Sequence, residues 1–509
     1  MEVYSSIFVN REKELRQISE AVETLQDEQR LLRTPIIEFS GVQGIGKTTL
    51  LDQVKVICDN KSLLCVKEDA KQWTSDYFNR VESLMRERPV AIILDSLDTV
   101  DNEQLQTIEA RLSELIENSR LFVVLASRNV QKFERTRTIA RKLTIYPLEP
   151  LKRESCLSYL NNFAQTIPPE TRDMILDWTR GYPLALKVMT DTILDERLEP
   201  TKEQDRRQLL RILMKEVIEK KLLATASSSS ERTRLQTLLA LLSIPRRFNL
   251  TLTQDLIEKF ADQYKLQNSL AYITLPRAIN EVTSVLYWSL ERAGYCIDAP
   301  VRNLFLLQFK IEQPQQFVDI HKFLTKKNKS FAQEVTGSDR SRYLREFFYH
   351  LACSEKEAKV RDSLIQQIEQ LAQVQTQEER NLLSSLEIYL QFYEEFRQDE
   401  ELKEALGQRN ANFALSLIFR NFIEIYRQLP EKERGNWLIE FFSLVTHRPE
   451  NDDFALIFEE GMRQIIQQVS REEAIKLYNE LIQDAGLKIL LGEQFESVRS
   501  HVTDLLTEG

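Results

Sequence analysis

A chain of 509 residues exceeds what one hydrophobic core can organise, and its 42% hydrophobic content is ample for several cores, so two to four globular domains are expected. A net charge of −10 argues against a general nucleic-acid binder. Cys58, Cys65, Cys156, Cys296 and Cys353 are odd in number and lack C-x-x-C spacing, so they suggest neither a disulfide framework nor a zinc site. The polar N-terminus and the lack of any apolar run near ~18 residues predict a soluble, cytoplasmic protein with no membrane span.

In the first part of the chain, short apolar runs alternate with charged helical stretches. Pro35–Phe39, Ser62–Val66, Val90–Leu94, Leu121–Ala126 and Leu143–Tyr146 read as five strands of a parallel sheet with helices on both faces. Directly behind the first strand, Gly41-Val42-Gln43-Gly44-Ile45-Gly46-Lys47-Thr48-Thr49 fits the phosphate-binding loop pattern in full. Its glycines let backbone N–H groups close on phosphate oxygens. Lys47 supplies a point charge for the terminal phosphates, Thr48 a hydroxyl for Mg²⁺, and the following helix its positive dipole end.

The third strand ends in Asp95, the expected Mg²⁺ residue, held through water or neighbours. Asp98, three positions on, is a candidate for orienting an attacking water; the alternative is an N-cap for the helix containing Asn102 to Leu115. The fourth strand ends in Ser127-Arg128, where an arginine faces the terminal phosphate or else pairs with a nearby acid.

Lys152 to about Leu223 reads helical throughout. Gly181-Tyr182-Pro183 is a turn followed by a helix with proline at its first position. Ala224–Ser230, with four consecutive serines, predicts a flexible linker or exposed loop. Helices around Arg234–Leu242, Thr253–Gln263 and Pro276–Ala293, then a strand at Tyr295–Asp298, follow the order of a winged-helix domain. The third of these helices mixes Arg277 and Arg292 with Glu281 and Glu291 around an apolar face, so it reads as a packing helix rather than a DNA reader.

From about Gln313 onward helical apolar spacing dominates, as in Leu415, Ile418, Phe419, Phe422, Ile425 and Tyr426, which predicts eight or more helices with no clear repeat period. Lys322, Lys326, Lys327 and Lys329 read as a solvated helix end. His321, His350, His447 and His501 are isolated in sequence and are assigned to structure.

These motifs, in this order, resemble the STAND class of signal-transduction NTPases, AAA+ relatives that include the NACHT and NB-ARC groups. Phe8-Val9-Asn10-Arg11-Glu12-Lys13-Glu14-Leu15 is similar to the F-V-G-R-E-x-E-L opening, and the resemblance places the backbone of Val9, Asn10 and Arg11 over the adenine. Asn10 replaces a glycine there, a mild change because asparagine tolerates a left-handed backbone.

Asp95-Ser96-Leu97-Asp98 resembles the NACHT metal strand, with Thr99 where a further acid is frequent, which implies slow hydrolysis. Tyr146–Leu151 is similar to the segment leading into the lid, and Gly181-Tyr182-Pro183-Leu184-Ala185-Leu186 to the G-x-P-L-A motif, whose proline packs on the nucleotide. The wing position that often carries an ADP-contacting histidine holds Asp298.

The expected architecture is an α/β P-loop core with a five-stranded parallel sheet (1–150), a helical lid ending in a serine-rich linker (151–230), a winged-helix domain (231–312) and an all-helical region (313–509). The resemblance implies ATP/ADP with Mg²⁺, bound by Val9, Asn10, Arg11, Gly41, Gly44, Ile45, Gly46, Lys47, Thr48, Thr49 and Pro183, with Thr48 and Asp95 at the metal and Lys47, Asp95, Asp98 and Arg128 in catalysis. It implies a slow, regulatory ATPase acting as a nucleotide-operated switch that self-associates, and by analogy a role in defence.

Because the core begins at about Ser6, no N-terminal effector is expected. The effector is then a separate polypeptide, or the helical C-terminal region binds the partner, or the chain is truncated. Two other classes remain: a DNA-acting AAA+ ATPase of the origin-recognition or loader kind, with DNA the less favoured partner, and a scaffold in which ATP is structural.

Overall fold

The computed structural model describes residues 8–27, 29–30, 32–117, 120–128, 137–371, 382–449, 452–468 and 471–508. The expected start of the core at Ser6 lies outside them. Residues 1–313 and 314–509 form two compact units, each treated by itself.

In the first unit, α1 (Glu12–Gln26) precedes β1 (Ile36–Ser40), α2 (Lys47–Asn60), β2 (Leu64–Asp69), α3 (Ser75–Glu87), β3 (Val90–Asp95), α4 (Asn102–Leu115), β4 (Leu121–Ser127), α5 (Arg137–Lys142) and β5 (Leu143–Pro147). Every expected strand is present within a few residues. The strands are parallel in the order β2-β3-β4-β1-β5. β1, β4 and nearly all of β3 are buried, as continuous apolar runs covered on both faces must be. The register sets Phe39 beside Ala126 and Leu94 beside Leu125, so the ends of β1, β3 and β4 align along one edge, where ligands of such sheets bind.

The lid comprises α6 (Arg153–Asn161), α7 (Pro169–Thr179), α8 (Pro183–Glu196) and α9 (Glu203–Leu213), continued by a π-helical stretch, Met214–Leu222, that periodicity did not reveal. The serine run is not a long linker. Ser228 caps α10 (Ser229–Ser243) by accepting from the Glu231 N–H, and the next two serines lie in its first turn. Serine is a good cap, so the same residues that suggest looseness start a helix.

Next come α11 (Leu250–Phe260), α12 (Ser269–Thr283), β6 (Leu286–Ser289), β7 (Gly294–Ile297) and α13 (Ala299–Glu312), a winged-helix order with an antiparallel β6–β7 wing. The third helix differs from the expected Pro276–Ala293. It starts at the Asn268 cap and carries Pro276 inside it; it ends at Ser284, in left-handed conformation (φ 53°). Asn280 then fixes the turn into β6: its side chain accepts from the Leu286 N–H at 2.7 Å and donates to the Leu286 carbonyl at 2.6 Å. Trp288 and Leu290, which fall inside the expected helix Pro276–Ala293, are instead 51% and 87% exposed on the wing.

The second unit holds ten helices among the described residues: α14 (Pro314–Glu334), α15 (Gly337–Ser354), α16 (Glu357–Glu369), α17 (Leu382–Gln398), α18 (Glu400–Tyr426, kinked at Gly407), α19 (Glu431–Thr446), α20 (Phe454–Gln468), α21 (Arg471–Leu481), α22 (Ala485–Leu491) and α23 (Phe495–Glu508). One aromatic-rich core runs through it, with Phe419 and Phe422 stacked on Phe441 at 4.6 and 4.9 Å. His321 and His350 are not isolated in space: on α14 and α15, both fully buried, their Nδ1 atoms lie 2.9 Å apart.

Within the lid, Gly181 packs against Leu151, where the lid segment begins. Its φ of 78° suits glycine, and a Cβ there would lie 2.1 Å from the Leu151 carbonyl oxygen, whose own N–H donates to the Gly181 carbonyl at 2.8 Å. We expect Gly181→Ala to cost about 2–4 kcal/mol, from strain and clash together, seen as a lowered unfolding midpoint. An unchanged midpoint would contradict this packing.

Candidate nucleotide-binding site

The phosphate loop leaves β1 at Gly41, whose N–H donates to the carbonyls of Ser127 (3.3 Å) and Arg128 (3.2 Å), so the loop is anchored on the end of β4. Gly44 (φ 84°) lies beneath the lid. A Cβ there would fall 2.7 Å from Leu184 Cβ. Instead the two backbones join: Leu184 N–H donates to the Gly44 carbonyl at 3.2 Å, and Tyr182 donates its hydroxyl to the Gln43 carbonyl. Pro183 opens α8 at its first position, where a missing N–H costs nothing.

Lys47, the first residue of α2, folds back on its own loop, donating to the Gly41 carbonyl and to the Val42 carbonyl at 3.1 Å. Thr48 donates its hydroxyl to Asp95 Oδ2 at 2.8 Å, and Asp95 Oδ1 accepts from the Ser96 N–H at 2.8 Å. A hydroxyl beside a fixed carboxylate fits Mg²⁺, which keeps several waters and shares its shell with phosphate oxygens. Among the described residues no cluster of three or more His, Cys, Asp or Glu forms a closed metal cage.

Asp98 sits in the one-turn 3₁₀ segment Leu97–Thr99 and is not the helix cap; Asp101 caps α4, accepting from the Gln104 N–H at 2.8 Å. Instead Asp98 holds Arg128 twice, accepting from its backbone N–H at 2.9 Å and pairing with its Nε at 3.1 Å. Their side chains are 14% and 20% exposed.

These residues line one cavity of about 840 Å³, a size ordinary for a cofactor site, bounded by Phe8, Val9, Arg11, Gly44–Thr49, Asp95, Asp98, Arg128, Pro183 and Leu184. Asn10 and Gly41 do not line it, though Asn10 (φ 65°) adopts the left-handed backbone expected of it, and Arg11 (φ 80°) does so as well. The Arg11 side chain turns away to donate to the Glu149 carbonyl at 2.6 Å, and its burial lowers its pKa.

Six side chains were not assigned to the site from the sequence. Tyr159 and Phe163, ring centroids 5.6 Å apart, add aromatic wall, while Lys187, Asp191 and Asp195 form an i, i+4, i+8 stripe on α8 that helical spacing could have revealed. The sixth is Asp298, the cap position of α13. Its carboxyl acts electrostatically on Lys47 and on Tyr182, so the winged helix brings a third segment to the phosphate loop.

The consequence is a coupled pair of unusual ionisations. Burial pushes the Lys47 ammonium down to about 8; Asp98, Asp95 and Asp298 oppose the shift and Arg128 adds to it. Burial raises Asp298 to about 7 despite the attraction of Lys47.

No family model matches the chain, and no curated protein matches it. Solved structures similar to it include Cdc6p from Pyrobaculum aerophilum (14% identity over 60% of this chain and 96% of that one, TM-score 0.34). The Aeropyrum pernix ORC1 protein in complex with DNA is another (16%, 62% and 94%, TM-score 0.34), as is AMPPCP-bound DnaA from Aquifex aeolicus (15%, 54% and 90%, TM-score 0.33). Likeness at these scores carries no functional argument, and the P-loop architecture rests on the sheet and loop described above.

Anion binding at this site should therefore depend on pH. Below about 7 Asp298 is neutral and Lys47 charged; raising the pH first adds a carboxylate and then, through about 8, removes the ammonium. Both steps disfavour a polyanion. Affinity for a fluorescent Mg·ADP analogue is expected to fall from pH 6 to pH 9, and Asp298→Asn to remove the lower step while leaving the upper one. A flat wild-type profile would contradict this arrangement.

Proposed function

We propose that the chain is an ATP/ADP-dependent switch of STAND type, with slow hydrolysis, in which the terminal phosphate sets how the lid and winged helix sit on the core. The observation that carries this reading is convergence: the phosphate loop, the start of α8 and the cap of α13 meet around Lys47, through the Leu184–Gly44 and Tyr182–Gln43 hydrogen bonds and the charge of Asp298. A nucleotide bound here cannot change without being felt by all three segments. Energy for the switch comes from contacts that differ between ADP and ATP.

Arg128 is the residue that makes that difference. Asp98 engages its Nε, and among the described residues no contact of the Nη end is seen, so that end of the fork is the one offered to the terminal phosphate. In this arrangement Asp98 first positions Arg128, and it reaches an attacking water only from that position. Thr48 and Asp95 hold Mg²⁺, while Lys47 exchanges the carbonyls of Gly41 and Val42 for phosphate oxygens. Pro183 packs against the nucleotide, and Val9, Asn10 and Arg11 present backbone toward the base.

The segments 1–150, 151–230, 231–312 and 313–509 act as core, lid, winged helix and partner-binding region. The last engages an effector protein, and the opened core self-associates in the cytoplasm. No helix among the described residues is long and apolar enough to cross a membrane. The DNA-acting alternative lacks support at α12, whose one cation, Arg277, pairs with Glu281 at 3.3 Å. A role in defence rests on the resemblance alone.

Two substitutions test the switch. Lys47→Ala should weaken both ADP and a slowly hydrolysed ATP analogue by at least about tenfold, as expected for loss of a charged contact worth ~1.5–3 kcal/mol. Arg128→Ala should weaken only the ATP analogue, by a similar factor, measured by calorimetry. Equal losses for ADP and ATP in Arg128→Ala would remove the phosphate-sensing role, and undiminished partner binding by Lys47→Ala would favour a scaffold.

A further inference from the structure

Gln43, the third residue of the phosphate loop, lines the cavity together with Gly44–Thr49, Asp98 and Arg128, and its side-chain Oε1 is buried without a hydrogen-bond partner. A buried acceptor left unmade is costly, so it marks a place where a donor is to be received.

The backbone of Gln43 is fixed from both sides. Its own carbonyl accepts the Tyr182 hydroxyl, and the next carbonyl, that of Gly44, accepts the Leu184 N–H at 3.2 Å, so the start of α8 holds the loop here. The two residues before it, Gly41 and Val42, supply the carbonyls that Lys47 occupies, and the Gly41 N–H is anchored on the Ser127 and Arg128 carbonyls. Lys47 and Arg128 are the two cations offered to the terminal phosphates, so the Gln43 amide belongs to that end of the cavity.

The donor that Oε1 receives there is set by chemistry. The ionised phosphate oxygens of a bound triphosphate carry no hydrogen, so the nucleotide's phosphates cannot satisfy it, whereas a water can. The two acids nearby are already engaged. Asp98 Oδ1 accepts from the Arg128 backbone N–H and Oδ2 pairs with its Nε, while Asp95 Oδ2 accepts from Thr48 and Oδ1 from the Ser96 N–H.

We propose that Gln43 holds the water that attacks the terminal phosphorus, accepting one of its O–H groups at Oε1 and so turning an oxygen lone pair toward the phosphate. The inference rests on the nucleotide-switch reading above and adds to it the residue that sets the hydrolysis rate. The water oxygen forms a bond to the terminal phosphorus, the bond from that phosphorus to the bridging oxygen breaks, and its electron pair leaves on ADP. Both water protons end on the released phosphate, which passes one on to solvent. An amide orients a water but does not take its proton as a carboxylate does, so hydrolysis at such a site is slow.

The test measures single-turnover hydrolysis of Mg·ATP by the full chain, and binding of Mg·ADP and a slowly hydrolysed ATP analogue by calorimetry. Gln43→Ala should lower the rate at saturating ATP by at least about tenfold. Its dissociation constants for ADP and the analogue should stay within about twofold of those of the unaltered chain. Gln43→Glu keeps an acceptor that can also take the proton, so at saturating ATP it should turn over faster than Gln43→Ala, with a rate that rises with pH as the carboxyl ionises. A merely structural role moves neither readout, and both variants keep the carbonyl that Tyr182 holds, so their unfolding midpoints should match that of the unaltered chain. An unchanged rate in Gln43→Ala, or a loss of rate matched by an equal loss of nucleotide affinity, overturns the proposal. An unaltered chain that binds both nucleotides but does not hydrolyse ATP overturns it while leaving the switch; a chain that binds neither removes both.

Discussion

Close approach of two backbones, with no side chain between them, is the constraint on which the first unit depends. Gly44 has no Cβ, so the first turn of α8 can settle on the phosphate loop and Leu184 can donate its N–H to the Gly44 carbonyl. Gly181 does the same one turn earlier against Leu151. A phosphate needs bare backbone around it for electrostatic reasons, and the lid needs the same bareness for steric ones. One loop of glycines meets both demands, so the proposed nucleotide contacts and the lid contacts fall on the same few residues.

Charge organises the space that this packing encloses. Lys47, Arg128, Asp95, Asp98 and Asp298 come from the loop, two strand ends and the winged helix, and in the structure the cations are satisfied by the protein: Lys47 by loop carbonyls, Arg128 by Asp98. An incoming phosphate competes with these internal partners rather than meeting bare charges. In the proposed switch, the exchange of one set of partners for another would give ADP and ATP different footholds if only the longer phosphate chain extends to Arg128.

Much of this was legible in the sequence because it rests on local chemistry. The five strands are apolar runs bounded by turns, the phosphate loop is a contiguous pattern, and the acids and arginine at strand ends share an edge simply because parallel strands point the same way. Asn10 in left-handed conformation was likewise readable from its side chain. What escaped was set by tertiary partners.

Pro276 looks like a helix start, but Asn268 supplies a better cap upstream, and the side chain of Asn280 fixes where the wing begins. The serine run looks loose until Ser228 finds the Glu231 N–H. His321 and His350 are far apart in sequence yet meet between α14 and α15. Asp298 read as the absence of a histidine; its effect on Lys47 appears only when the winged helix is placed beside the loop.

Hydrogen exchange at the Leu184 amide, which bonds to the Gly44 carbonyl, tests the central claim most directly. The account predicts that protection there and across 181–196 differs between the ADP-bound protein and the protein bound to a slowly hydrolysed ATP analogue, and that the difference disappears in Arg128→Ala. Identical protection in the two nucleotide states, with both nucleotides bound, would contradict it and leave the nucleotide a fixed structural element.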